Sequence, residues 1–306
     1  MQKKVITRLI GYLFLILILI GGCKEPETIK FIGPLNLSEE EASINEQTPE
    51  EGVDYFLPYI DLENWKVTLP IGNPTEVYPP EILDYATNDT LLPFMYNDST
   101  DGSLVFYTYP GASTANSTYS RTELREIINP QDLGVNWSFP EGGQMKGTLA
   151  MEEISKDDGG NYHRTIIMQI HGRLSNEQKE IIGAPDNNAP PMLKIYWYKG
   201  LIRVKTKVLK DLNATYEELL HTDAWGDDEG RNFKENVGFD RFTLEIIASE
   251  GKMEVILNND EKFVYDNIHM EKWSVFENYF KAGNYLVSKE AGAYAKVKYY
   301  ELVVSH

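Results

Sequence analysis

Between residues 64 and 305 the chain is written largely in short runs whose apolar and polar residues alternate one by one. The runs are "NWKVTLPIG", "GSLVFYTY", "MKGTLAMEEI", "RTIIMQIHG", "MLKIYWYKGLIRVKTKVL", "RFTLEIIAS", "KMEVILNND" and "YAKVKYYELVVS". Successive side chains of a strand point to opposite faces, so a period of two marks strands with one face in a core. Gly, Asn and Asp punctuate the runs, and only "YEELL" (216–220) and "EKWSVF" (271–276) read as helical. Aromatics at 12%, with 19 Tyr, favour strands further. The expected fold is all-β: one antiparallel β-sandwich of the jelly-roll class, without internal repeats or a domain boundary after residue 53. Two connections look long. Residues 73–101 are broken by Pro74, Pro79, Pro80 and Pro93. Residues 173–191, "RLSNEQKEIIGAPDNNAPP", read as a binding loop that closes one end of a groove.

The N-terminus reads as a targeting segment. Lys3, Lys4 and Arg8 precede "LIGYLFLILILI", an uncharged run short for a membrane span and suited to a signal h-region. It ends in "IGGC", which resembles a bacterial lipoprotein signal with Cys23 as the lipidated residue; an ordinary signal peptide is the alternative. The expected organisation is a signal segment at 1–22, a flexible acidic tether at 23–52 and a catalytic domain at 53–306. The tether carries eight acids against two lysines from residue 24 onward, with little apolar pattern. The protein is then exported and held at a membrane by its lipid, facing the periplasm or the cell surface. Cys23 is the only cysteine, which excludes an intrachain disulfide and any cysteine-built metal site. Net charge of −18 argues against general affinity for nucleic acid, though not against a local basic cleft.

Four segments each place polar groups on one face. In "SRTELRE" (120–126), Arg121, Glu123 and Arg125 share a face, with Thr122 and Leu124 on the other. A glutamate between two guanidiniums suits holding an arginine so that its fork meets an outside carboxylate; alone, the stretch fits a solvated charged edge equally well. In "TIIMQIHG" (165–172), Gln169 and His171 share a face with Ile167, opposite Ile166, Met168 and Ile170. A lone strand histidine is more often structural than catalytic, but a neighbouring amide donor shifts that reading. "LIRVKTKV" (201–208) sets Arg203, Lys205 and Lys207 against Ile202, Val204 and Val208, a cationic stripe in an acidic chain. In "YFKAGNY" (279–285), Tyr279, Lys281, Gly283 and Tyr285 share one parity, with Phe280 and Ala282 inward. If these faces line one concave sheet, they form a groove for a polyanionic chain.

At these residues the sequence resembles polysaccharide lyase family 7, the alginate lyases. The family's signatures run Arg-Ser/Thr-Glu-Leu/Val-Arg, Gln-Ile/Val-His and Tyr-Phe-Lys-Ala-Gly-x-Tyr. They stand here, in that order, as "RTELR" (121–125), "QIH" (169–171) and "YFKAGNY" (279–285). The ends "LENWKVTLPIG" (62–72) and "VKYYELVVSH" (297–306) are similar too, so the likeness covers roughly residues 55–306. One departure follows the last motif: Leu286-Val287 stands where members often carry Asn-Gln.

The resemblance implies β-elimination of 1,4-linked uronates, with alginate as the partner and no metal or other cofactor. Arg121 and Gln169 would hold the uronate carboxylate, His171 would take the C5 proton and Tyr285 would protonate O4. Glu123, Arg125, Lys281 and Tyr279 would bind or orient substrate, and the cationic stripe of Arg203, Lys205 and Lys207 is expected to add to binding. Ile170 in Gln-x-His goes with acceptance of guluronate, and a monomer is expected. Two rivals are a jelly-roll glycoside hydrolase and a non-catalytic surface carbohydrate-binding module. The first needs two working carboxylates, yet "TLEIIASE" offers Glu245 and Glu250 at an unsuitable spacing.

Overall fold

The alternating runs form strands of two sheets that pack on each other as a β-sandwich jelly roll. These coordinates are a computed structural model that describes residues 56–306 except 116. The expected signal segment, Cys23 and the acidic tether lie outside the described residues. The described residues fall within one compact unit.

The first sheet has eight strands. Along its path they run Glu261–Tyr265, Lys252–Leu257, Phe242–Ser249, Gly143–Ile154, Ala295–Ser305, Ser103–Thr108 and Met95–Asp98; Tyr59–Ile60 pairs parallel with Ala295–Ser305. The second has ten. Its path is Trp225–Asp227, Leu201–Leu209, Asn188–Tyr198, Arg164–Arg173, Glu277–Leu286, Arg121–Glu126, Trp65–Leu69 and Thr75–Val77, with Arg231–Asn236 and Trp137–Ser138 paired off it. All four sequence segments with polar faces therefore lie in one sheet. Non-sequential strand order puts Glu277–Leu286 between Arg164–Arg173 and Arg121–Glu126.

The space between the sheets is filled by large side chains, among them Phe106, Phe139, Trp197, Trp273, Phe280 and Tyr299. Burying a side chain such as Phe280 contributes about 1.5–3 kcal/mol. A one-residue slip would expose it and drive Lys281 into the core, so the register of this strand is tightly specified. Asn284 bridges the sheets. Its Nδ2 donates to the Phe106 and Ala295 carbonyls at 2.9 and 2.7 Å, and its Oδ1 accepts from the Thr165 hydroxyl at 2.7 Å. The hairpin between Tyr198 and Leu201 turns at Lys199 and Gly200, both with positive φ (54° and 82°), as a two-residue turn of right-handed twist requires.

The helices are short. One spans Tyr216–Leu219; another, Ile268–Trp273, begins before the expected "EKWSVF" because Asn267 caps it. The 173–191 segment differs from the long loop expected. Asn188 already pairs with Arg173 and Pro191 with His171, so its C-terminal part is strand. Before that, Ser175 and Gln178 form a capping box on the helix Asn176–Ile181, and Gln178 is fastened to the Val275 carbonyl and the Tyr216 hydroxyl. This segment is an anchored turn.

Candidate active site

The site is built on Glu277–Leu286 and the two strands that flank it. Across one side, Tyr279 pairs with His171 and Lys281 with Gln169. Across the other, Lys281 pairs with Arg125, Gly283 with Glu123 and Tyr285 with Arg121. Three motifs distant in the chain thus become lateral neighbours on the sheet face turned away from the core.

A bulge breaks the simple alternation. The pairing of Arg164–Arg173 shifts on both sides, between Ile195 and Tyr196 on one neighbour and between Ala282 and Tyr285 on the other. As a result Ile167 packs in the core and Ile166 lines the cleft, the reverse of the parity expected from sequence. A bulge inserts one residue and re-aims those beyond it. Gly283 lies beside it on the neighbouring strand. Its φ is +132°, and a Cβ there would lie 2.8 Å from the Thr122 carbonyl oxygen and 3.0 Å from Glu123 Cα. Its N–H donates to the Tyr299 hydroxyl at 3.1 Å, and that hydroxyl donates onward to the Ile167 carbonyl. Gly283→Ala is expected to cost about 1–3 kcal/mol of stability and to displace Tyr285. Denaturant unfolding and turnover, measured together, check this; an unchanged midpoint would show that the backbone is not strained there.

Glu123 is the electrostatic centre, 1% exposed. Its carboxylate accepts from Arg121 at 3.2 Å, from Gln169 and from the Lys281 ammonium. Burial, then the Arg121 charge, pull Lys281 down to about 8, and Glu123 counters only part of this. Arg121 also bonds Ser117 and lies over the Tyr285 ring at 4.1 Å. Arg125 lies over Tyr279 at 4.0 Å, so Arg121 and not Arg125 is the guanidinium stacked on the Tyr285 phenol. The Nε donors of Arg121 and Arg125 are buried without a partner. Unpaired buried donors are uncommon.

His171 has a defined tautomer. Its Nδ1 is 2.9 Å from the Gly172 carbonyl oxygen, which can only accept, so Nδ1 carries the proton. Nε2 makes no hydrogen bond to the described residues and keeps its lone pair. Burial, followed by the Lys281 charge and then those of Arg121 and Arg125, pushes the imidazole down to about 3. It is therefore neutral near pH 7 and able to accept a proton.

His171, Gln169, Arg121 and Tyr285 line one cleft of about 320 Å³, together with residues that sequence reasoning missed: Tyr119, Arg164, Pro191, Lys194, Tyr196 and Asp227. Tyr119 meets Tyr285 edge-on at 6.4 Å. Lys194 and Tyr196 were legible in "MLKIYWY", where they alternate with Leu193, Ile195 and Trp197 by the rule applied to the other strands. A second hollow, sharing Arg164 and Tyr196, continues past Tyr198, Arg203 and Lys205. Arg203 is braced by Asn232 and the Glu229 carbonyl. Lys207 does not line either hollow; it pairs with Asp227 at 2.7 Å, and Lys194 holds the other oxygen of that carboxylate. Burial opposes the charge on Asp227, yet Lys207 and Lys194 hold it down to about 2. Asp227 is the only carboxylate lining the cleft among the described residues, and it stays ionised, so a hydrolase pair of acid and base is not present there. Glu245 belongs to the other sheet, bonded to Gln144.

The arrangement can bind a carboxylate through guanidinium and amide donors, remove a proton with a neutral imidazole and donate one from a phenol. The family model described as alginate lyase matches residues 60–306. Among solved structures, alginate lyase A1-II', a member of polysaccharide lyase family 7, is 30% identical with a TM-score of 0.63, covering 81% of this chain and 96% of that one. A histidine-to-asparagine, tyrosine-to-phenylalanine variant of that enzyme in complex with the substrate GGMG is 28% identical, TM-score 0.65, over 81% and 94% of the two chains. Alginate lyase PA1167 from Pseudomonas aeruginosa shares the fold at 21% identity, TM-score 0.61, over 81% and 100%. No curated protein matches the chain.

Proposed function

This chain belongs to the alginate lyase family, polysaccharide lyase family 7, and from that membership we propose that it cleaves 1,4-linked uronate chains by β-elimination and accepts guluronate. The observation that carries this reading is the shared cleft: a histidine with a free Nε2 and a tyrosine face the same space as Arg121 and Gln169.

The C5 proton of a uronate is weakly acidic, and the barrier lies in the charge that builds on the adjacent carboxylate as the C5–H bond breaks. Arg121 and Gln169 stabilise that charge with donors already fixed by Glu123, so little reorganisation is needed during reaction. His171 Nε2 takes the C5 proton of guluronate, where the proton lies opposite the leaving group. The electron pair forms the C4=C5 double bond, the C4–O4 bond breaks, and Tyr285 gives its proton to O4. For mannuronate, where proton and leaving group share a side, Tyr285 serves in both roles from its ionised form: the phenolate takes the C5 proton and then passes it to O4 as the C4–O4 bond breaks. Lys194, Arg203 and Lys205, with Tyr196 and Tyr198, support binding of further uronates along the groove. Ile170, the middle residue of "QIH", is fully buried, so any influence on guluronate acceptance passes through packing.

The sequence pattern before residue 53 supports a lipid anchor on Cys23, with an acidic tether carrying an exported enzyme at a membrane. All the proposed catalytic groups come from one chain, which supports action as a monomer. Lipid labelling of cells expressing the protein is expected to mark it, and Cys23→Ala to abolish the label. For the reaction, incubation with separate guluronate and mannuronate blocks is expected to release unsaturated, ultraviolet-absorbing ends from guluronate. Depolymerisation without absorbance would indicate hydrolysis, and binding without depolymerisation would indicate a carbohydrate-binding module; either overturns the proposal.

A further inference from the structure

Tyr279 lies between two groups. The His171 ring stacks on it nearly parallel, with centroids 5.1 Å apart and planes 10° apart. The Arg125 guanidinium stands 4.0 Å from its centroid. The two come from strands on opposite sides of Glu277–Leu286, so they approach Tyr279 from opposite sides. The phenol of Tyr279 makes no hydrogen bond to the described residues, so what the ring contributes here is its faces.

We infer that Tyr279 and Arg125 are positioning residues that act through His171, forming a three-layer stack that sets both the orientation and the charge state of the imidazole. The inference rests on the reading of His171 as the base. The stack acts in two ways. It fixes the ring plane, which with the Nδ1 bond to the Gly172 carbonyl leaves only Nε2 to meet substrate. It also makes an imidazolium unfavourable: the packed ring excludes water, and the guanidinium on the far face adds positive charge close by.

The other groups facing His171 are consistent with this. Its own strand offers neutral Gln169. The Glu277–Leu286 strand offers Tyr279, Lys281 and Tyr285, and the Arg121–Glu126 strand offers Arg121, Glu123 and Arg125. The Asn188–Tyr198 strand offers Pro191 and Lys194, with Asp227 beyond it. Glu123 is committed to three donors and Asp227 to Lys194 and Lys207, so among the described residues facing His171 no carboxylate is free to pair with its protonated form.

The test combines NMR titration of the His171 imidazole with the pH dependence of kcat/KM. A base works only when deprotonated, so activity falls as pH drops through its pKa, and a raised pKa moves that acid limb upward. Arg125→Met is expected to move the titration and the limb up, by less than Lys281→Met does, because the Lys281 charge acts more strongly on the ring than the Arg125 charge. Arg125→Lys, which keeps the charge, is expected to leave the limb close to its original place. Tyr279→Leu is expected to raise the titration and to lower kcat on the order of tenfold to hundredfold through misplacement of the base. Tyr279→Phe, which restores the ring, is expected to recover the titration and most of the lost turnover. An unmoved titration in Arg125→Met, or a Tyr279→Phe variant as impaired as Tyr279→Leu, overturns the inference. Should Tyr279→Leu fail to fold, the Arg125 pair decides the matter. If His171→Asn retained turnover, the assignment of the base would fall, while the NMR titration would still judge the stack by itself.

Discussion

Tyr285→Phe is expected to lower turnover by about 10² to 10⁴-fold while leaving the fold and the binding of uronate chains in place. The substitution removes one oxygen. That oxygen is the only hydroxyl the proposed mechanism can use to protonate the departing O4. The ring remains, and with it the Arg121 stack at 4.1 Å and the edge contact with Tyr119. Elimination without a proton donor must expel an alkoxide, which explains the size of the effect. His171→Asn is expected to behave alike on guluronate, because Asn offers an amide of similar reach with no basic nitrogen. On mannuronate the two variants separate: Tyr285→Phe removes both base and acid, whereas His171→Asn keeps Tyr285 for both roles. Initial rates of absorbance on each block polymer, with calorimetric binding of oligouronates to both variants, measure this. Turnover close to wild type in Tyr285→Phe would remove Tyr285 from the mechanism.

The second large effect concerns Glu123, which touches no substrate in the proposed mechanism. Its single carboxylate holds Arg121, Gln169 and Lys281 while it is itself almost wholly buried. Replacing it by Ala leaves a buried ammonium and a guanidinium without their counter-ion. Removing one partner of a buried ion pair costs about 3–5 kcal/mol. Unfolding by denaturant should show a loss of that order. The catalytic loss is separate in origin. Without the carboxylate, the Arg121 fork and the Gln169 amide are free to turn, and misplaced donors stabilise the developing charge poorly, an effect on the order of a hundredfold. Glu123→Gln keeps an acceptor of the same shape without the charge, and it is expected to retain more stability than Glu123→Ala. An unfolding midpoint unchanged in Glu123→Ala would mean that the cations find other partners, and the proposed role of Glu123 would have to be given up.

Much of this architecture could be read locally. Strand positions followed from period-two alternation, and the face assignments of Arg121, Glu123 and Arg125 hold because Arg121–Glu126 is a regular strand. Phe280 and Ala282 pack inward for the same reason. Two misses were also legible in principle. The capping box at Ser175 and Gln178 announces the helix inside the supposed loop. Asn267, an N-cap, announces the start of the helix before Trp273.

What the sequence determined alone was which residues could share a face, since that depends on the backbone of one strand. The tertiary structure decided which faces meet and where alternation fails. The bulge at Ile167 exchanged Ile166 for Ile167 on the cleft face, and it arises from the pairing of Arg164–Arg173 with both neighbouring strands. Partner choice was likewise a tertiary matter. Arg121 rather than Arg125 lies on Tyr285, Arg125 and His171 bracket Tyr279, and Lys207 is taken up by Asp227. Long charged side chains reach whatever neighbouring strands bring near them, and no periodicity within one segment encodes which strand that will be.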